Sequence, residues 1–188
     1  SYTISQVYSR TIESAQTLAQ LINCKATNKT SEIENDADLY IFSIKDSALE
    51  DLLQNIPSNN GIWVHTSGSI PMSIFEKFNK DFGVVYPFQT FSKQRRVEFS
   101  KIPIFIEANT EENYNKLYTI FSSISEKVSQ LSSDKRKYIH LTGVFACNFV
   151  NHLYHISDNI LKKENIPFDV LLPLIDETAS KVHDMNPK

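Results

Sequence analysis

Short apolar runs alternate with helical patterns over the first two thirds of the chain. Residues 4–8, Ile-Ser-Gln-Val-Tyr, read as a strand. Residues 11–22 read as a helix: Ile12, Ala15, Leu18, Ala19 and Ile22 recur at helical spacing, and Ser9 or Thr11 can cap it. A short strand candidate lies at 24–27. Residues 39–44, Leu-Tyr-Ile-Phe-Ser-Ile, are almost continuously apolar, as expected of a strand buried on both faces. The pattern then predicts a short helix over 47–53, a buried strand over 61–65 and a helix over 71–78 with Pro71 in its first turn. Strand candidates at 83–86 and 102–106, a helix at 111–123 and a strand at 127–131 follow.

This alternation predicts right-handed βαβ units around a mostly parallel sheet flanked by helices, an α/β fold of Rossmann type. The character changes near residues 132–134. Beyond them only helical periodicity remains: residues 135–162, through Ile139, Val144, Cys147, Val150, Tyr154 and Ile160, then a break at Asn165-Ile166-Pro167, then residues 168–182. The expected organisation is an α/β domain over 1–132 followed by an all-α domain over 133–188.

Composition narrows the function classes. The chain is 41% hydrophobic and 22% charged, ordinary for a soluble globular protein. Its net charge of −3 and scattered basic residues, densest at Lys93, Arg95 and Arg96, argue against nucleic-acid binding. Cys24 and Cys147 belong to no Cys-x-x-Cys or Cys/His array. Neither a zinc site nor a disulfide framework is expected, and a reducing, cytoplasmic setting fits. No apolar run reaches the length of a membrane span, and the first residues lack the basic start and apolar core of a signal peptide.

In open parallel sheets, ligands bind beyond the carboxyl ends of the strands. Three such ends carry candidate chemistry. Ser9, Arg10 and Thr11 follow the opening strand; a guanidinium with two hydroxyls suits a ribose 2′-phosphate. The plainer reading is an exposed arginine beside a helix cap. Ser43, Ile44, Lys45 and Asp46 follow the apolar run at 39–44. Lys45 could meet a phosphate or carboxylate, or Asp46 or Ser47 could simply cap the next helix. His65, Thr66, Ser67, Gly68 and Ser69 form a polar turn suited to a nicotinamide ribose or a substrate. His65 is either an acid–base group or an inert, hydrogen-bonded histidine. In the helical part Asn148, Asn151 and His152 share a face, but no carboxylate stands at metal-ligand spacing. Tyr138, His140 and Tyr154 read as packing and hydrogen-bonding residues.

Taken in order, several runs resemble one bacterial family. They are Val7-Tyr-Ser-Arg10, Ile44-Lys-Asp46, Val64-His-Thr-Ser-Gly-Ser69, Tyr86-Pro-Phe-Gln-Thr-Phe-Ser92, Val144-Phe-Ala-Cys-Asn-Phe-Val-Asn-His152 and Leu174-Ile-Asp-Glu-Thr178. The family is the Rossmann-like proteins with a C-terminal DUF 2520 helical domain, labelled NADP oxidoreductases. They are related to pyrroline-carboxylate reductases, deazaflavin-dependent NADP reductases and β-hydroxyacid dehydrogenases. The resemblance implies NADP as cofactor, with Ser9, Arg10 and Thr11 at the 2′-phosphate. Ser43, Ile44, Lys45, Asp46 and the turn from His65 to Ser69, including Thr66 and Gly68, would line the cofactor cleft. It also implies a homodimer joined through the helical domain.

Two departures qualify this. Family members open with a strand, a G-x-G-x-x-A/G loop and a helix. None of Gly61, Gly68, Gly83 and Gly143 can form that loop, so the chain reads as one that begins at the second strand, and the family pattern continues past Lys188. The β-hydroxyacid dehydrogenases also carry a G-x-x-x-K-x-x-x-N motif. Here the run from Gly143 to Asn151 places Cys147 at the lysine, and a thiol supplies no ammonium charge to a developing alkoxide. The leading expectation is an NADP-dependent oxidoreductase of a small substrate, with His65, Ser67 and Asn151 at the reacting centre. The alternative is a non-catalytic Rossmann-fold protein that senses a nucleotide or binds a partner.

Overall fold

A computed structural model of the chain describes residues 2–185. Ser1 and residues 186–188, the end of the helical region expected from sequence, lie outside them. The chain divides into two compact units, Ser1–His140 and Leu141–Lys188.

In the first unit seven strands alternate with helices, but they form two sheets rather than one. Strands β1 (Gln6–Tyr8) and β2 (Lys25–Thr27) pair in parallel, joined by helix α1 (Ile12–Ile22). A second sheet runs in the order β3 (Leu39–Phe42), β4 (Ile62–His65), β5 (Phe82–Pro87), β6 (Ile104–Ala108), β7 (Val128–Gln130). All its pairings are parallel except β5 with β6, which are antiparallel. The fold is thus mixed α/β with a mostly parallel sheet.

Alternation along β4 organises the core. Trp63 packs with Phe42, Phe75 and Phe82 on one face, beneath helix α2 (Leu49–Leu53). Ile62 and Val64 pack with Val85, Ile104 and Ile106 on the other, beneath helix α3 (Glu111–Ser122). The start of α3 is set locally: the Thr110 hydroxyl accepts the Asn113 N–H at 3.1 Å, an N-cap with two glutamates in the first turn.

Two expectations need correction. Residues 71–78 form only a 3₁₀ turn, Met72–Phe75. The Met72 N–H is taken by the Ser133 hydroxyl, and Phe75 is drawn fully into the aromatic core, so the helical pattern yields to tertiary contacts. The strand at Leu39–Phe42 is not buried on both faces: Ile41 is 53% exposed. Among the described residues β3 pairs only with β4, and β1 only with β2. A groove of about 310 Å³ runs between them, lined by Val7, Tyr8, Ile41, Ser43, Ile44 and Leu52 among others.

In the second unit every described element is helical. Helix α4 (Ser133–Gly143) leads into it, followed by a π-helical segment (Val144–Phe149) and helix α5 (Val150–Lys163). Asn165, at φ 56°, turns the chain where the break was expected, and helix α6 (Leu172–Asp184) follows. No described residue from 141 to 185 is buried.

Candidate functional site

The loops after β1, β3 and β4 carry the residues singled out by sequence, and two of these loops are physically joined. The Asp46 carboxylate accepts hydrogen bonds from the Ser67 hydroxyl at 2.9 Å and the Ser69 hydroxyl at 2.6 Å. Its role is therefore to hold the turn after β4, not to cap α2. The Ser67 hydroxyl in turn accepts the N–H groups of Ser69 and Ile70, both at 3.1 Å. Thr66 donates to Ser43 at 3.4 Å across the same gap. Ser43, Ile44, Lys45 and Asp46 are all exposed.

The loop after β1 stands apart from this network. The Ser9 N–H extends the β1–β2 ladder to the Thr27 carbonyl at 3.1 Å. Thr11 occupies the N-cap of α1, yet its hydroxyl bonds Ser14 rather than a backbone N–H. The first-turn amides of α1 are thus left without a side-chain cap. Arg10 is exposed and, among the described residues, enters no ion pair or hydrogen bond. Asn151 lies exposed on α5 in the second unit.

His65 is 1% exposed. Its Nδ1 accepts the Ser67 N–H at 3.2 Å, which places the ring proton on Nε2, where no hydrogen bond of normal geometry is made. Burial and the nearby Arg136 charge lower its pKa to about 4, against weaker opposing pulls from the Pro71 carbonyl, Asp46 and Glu107. The imidazole is neutral at physiological pH. The sign of the resulting pH dependence is fixed. Between the ordinary value near 6.5 and the folded value, the unfolded chain binds a proton that the folded chain does not. Stability therefore falls as pH drops through that window. From about pH 7 to about pH 5 we expect a loss of about 2 kcal/mol in urea unfolding, absent in His65→Gln. An unchanged wild-type stability would show that His65 does not carry this penalty.

Behind the turn lies a buried network that sequence spacing did not single out. Arg136, 1% exposed, donates from Nη1 to Glu107 at 2.8 Å and from Nη2 to the Ile70 carbonyl at 2.5 Å and the Ser133 hydroxyl at 3.1 Å. Ser133 donates to the same Glu107 oxygen at 2.6 Å and receives the Met72 N–H at 3.0 Å. The segment from Ile70 to Met72, which directly follows the serine turn, is thereby fixed to α4 and β6. Tyr86, which sequence spacing did not single out, lies with its Oη 3.0 Å from His140 Nδ1, and His140 thus has the hydrogen-bonding role expected of it. The one available signal was the four-residue spacing of Arg136 and His140, which puts both on one face of α4. Among the described residues no cluster of three or more His, Cys, Asp and Glu side chains could hold a metal, and no helix is long and apolar enough to cross a membrane.

The loops after β1, β3 and β4 lie at the carboxyl ends of parallel strands, where open α/β sheets bind ligands. Residues 102–188 match the model of a domain of unknown function, DUF2520. The chain is 51% identical to a protein of known structure, "putative NADP oxidoreductase BF3122" from Bacteroides fragilis, covering 98% of this chain and 72% of that one with a TM-score of 0.93. The chain belongs to the DUF2520 family. Other similar structures show the fold alone. Protein TM1727 from Thermotoga maritima is 24% identical, covering 95% of this chain and 70% of that one, with a TM-score of 0.72. A reductive aminase from Aspergillus terreus, in complex with NADPH and ethyl levulinate, is 12% identical, covering 95% and 64%, with a TM-score of 0.73. No curated protein matches the chain. Within this DUF2520 protein, the Rossmann-like portion carries all three candidate loops.

Proposed function

We propose that the protein is an NADP-dependent oxidoreductase acting on a small substrate. The observation that carries this reading is its 51% identity, over nearly the whole chain, to "putative NADP oxidoreductase BF3122". The residues fit the two ends of such a cofactor. Arg10, exposed and without an ion pair among the described residues, stands with Ser9, Thr11 and the uncapped amides of α1 where a 2′-phosphate would be held. Ser43, Ile44, Lys45, Thr66 and Gly68 flank the nicotinamide side, and Asp46 keeps Ser67 and Ser69 in place there. None of the four glycines stands in a loop before a helix that could cradle the pyrophosphate. When bound, the cofactor supplies a hydride. The chain's own part is to orient the ring against the serine turn, shield it from water and move the accompanying proton.

In this reading His65 acts as a positioning residue, because a neutral ring with 1% exposure orders the turn rather than titrates in it. Ser67 contacts the ligand, and Asn151 stands exposed on α5 of the second unit. We assign the cofactor domain to residues 1–132 and the helical dimerisation domain to 133–188. The occupant of the second unit's apolar face is a second copy of this chain: Phe145, Phe149, Leu153, Ile156 and Ile160 repeat every three or four residues along one helical stripe, and all are exposed. The two free cysteines suit the cytoplasm.

Arg10→Glu tests the cofactor assignment. Replacing a phosphate-binding guanidinium by a carboxylate should weaken NADPH binding by at least about thirtyfold while NADH binding changes little. Equal NADPH affinity in both proteins, measured by calorimetry, would remove Arg10 from the site. A second reading, a nucleotide-binding protein without turnover, is favoured by exposed Cys147 at the position of the dehydrogenase lysine. Tight NADPH binding without oxidation across keto acids, imines and deazaflavins would support it.

A further inference from the structure

We propose that Tyr86 and His140 form the proton-delivery pair of the oxidoreductase site, an inference that rests on the reading above. Tyr86 lies in the carboxyl half of β5, beside the parallel strand β4 that ends in the serine turn. His140 comes from α4, 54 residues away, and meets it with Oη and Nδ1 3.0 Å apart and the rings at 69°. The pair sits against the turn itself: a Cβ added to Gly68 would overlap the His140 ring, so the absence of a side chain there is what admits the imidazole. Both side chains are half-buried, shielded yet within reach of a ligand. His65, the histidine conspicuous in sequence, is fully buried and points its nitrogens into the turn and the core, so it cannot serve the same purpose.

The chemistry suits the geometry. Burial raises the Tyr86 pKa, which keeps the phenol protonated, while Arg136 limits the rise. Arg136, on the same helix face, is the charge that acts on Tyr86, while its partner Glu107 on β6 and Asp46 across the serine turn act on neutral His65. As a substrate carbon accepts hydride, its C=O or C=N π bond opens onto the heteroatom. The Tyr86 O–H bond then breaks and delivers its proton to that heteroatom. The His140 Nδ1 proton passes to Tyr86 Oη as a solvent proton reaches Nε2, so the ring relays a proton. One proton is consumed per hydride, which balances the reduction.

A pair that delivers this proton must lie against the nicotinamide, and its ring signals report that contact without turnover. The ring ¹H and ¹⁵N signals of His140, assigned by their loss in His140→Gln, should shift when the protein is saturated with NADPH. Tyr86→Phe, which removes the hydroxyl 3.0 Å from Nδ1, should shift the same signals in the free protein. NADPH binding that leaves the His140 signals in place overturns the pair and leaves the oxidoreductase reading standing. Failure to bind NADPH overturns both.

Discussion

Arg136→Ala is expected to lose about 3–5 kcal/mol of unfolding free energy, the largest single-residue effect outside the aromatic core. Its buried guanidinium joins β6, α4 and the segment behind the serine turn. Truncation leaves the Glu107 carboxylate with only the Ser133 hydroxyl, and strands the Ile70 carbonyl. The Glu107 side chain is only 16% exposed, and leaving its charge uncompensated costs more than the pair contributes, so Arg136→Met, which fills the space, should destabilise nearly as much. Trp63, the only tryptophan and fully buried, reports unfolding in urea by its fluorescence. A loss below about 1 kcal/mol would mean that Glu107 finds another partner or takes up a proton.

The second large effect is expected at the apolar stripe of α5. Phe149→Asp with Leu153→Asp should weaken self-association at least a hundredfold, giving a monomer at micromolar concentration in sedimentation. Each side chain removes about 1.5–3 kcal/mol of apolar burial, and each carboxylate would have to be desolvated. Phe149 and Leu153 are exposed in the single chain, 52% and 59%, so the substitutions should leave the fold of one copy intact. A wild-type chain that is already monomeric, or a variant that associates as tightly, would contradict the dimer.

Much of the fold is legible in sequence because it is local. The buried run ending at His65 and the helix capped by Thr110 carry their own signals, and both form where expected. The 3₁₀ turn at Met72–Phe75 departs from its pattern because Ser133, more than sixty residues on, takes a backbone donor. Ile41 reads as core but lines the groove between β1 and β3, since burial depends on which strands are neighbours and not on composition. The candidate loops could be named, yet their joining through Asp46 could not. The same holds for Arg136, Tyr86 and His140, whose partners lie 29 to 66 residues away. Polar partnerships at that distance leave no periodicity to read.

The central claim is that the loops after β1, β3 and β4 form one NADP cleft. Amide NMR of the protein titrated with NADPH tests it most directly. Perturbations concentrated at Ser9 to Thr11, Ser43 to Asp46 and Thr66 to Ser69, with NADH affecting the first loop far less, are the expected result. Perturbations confined to other surfaces, or none at millimolar NADPH, would contradict it.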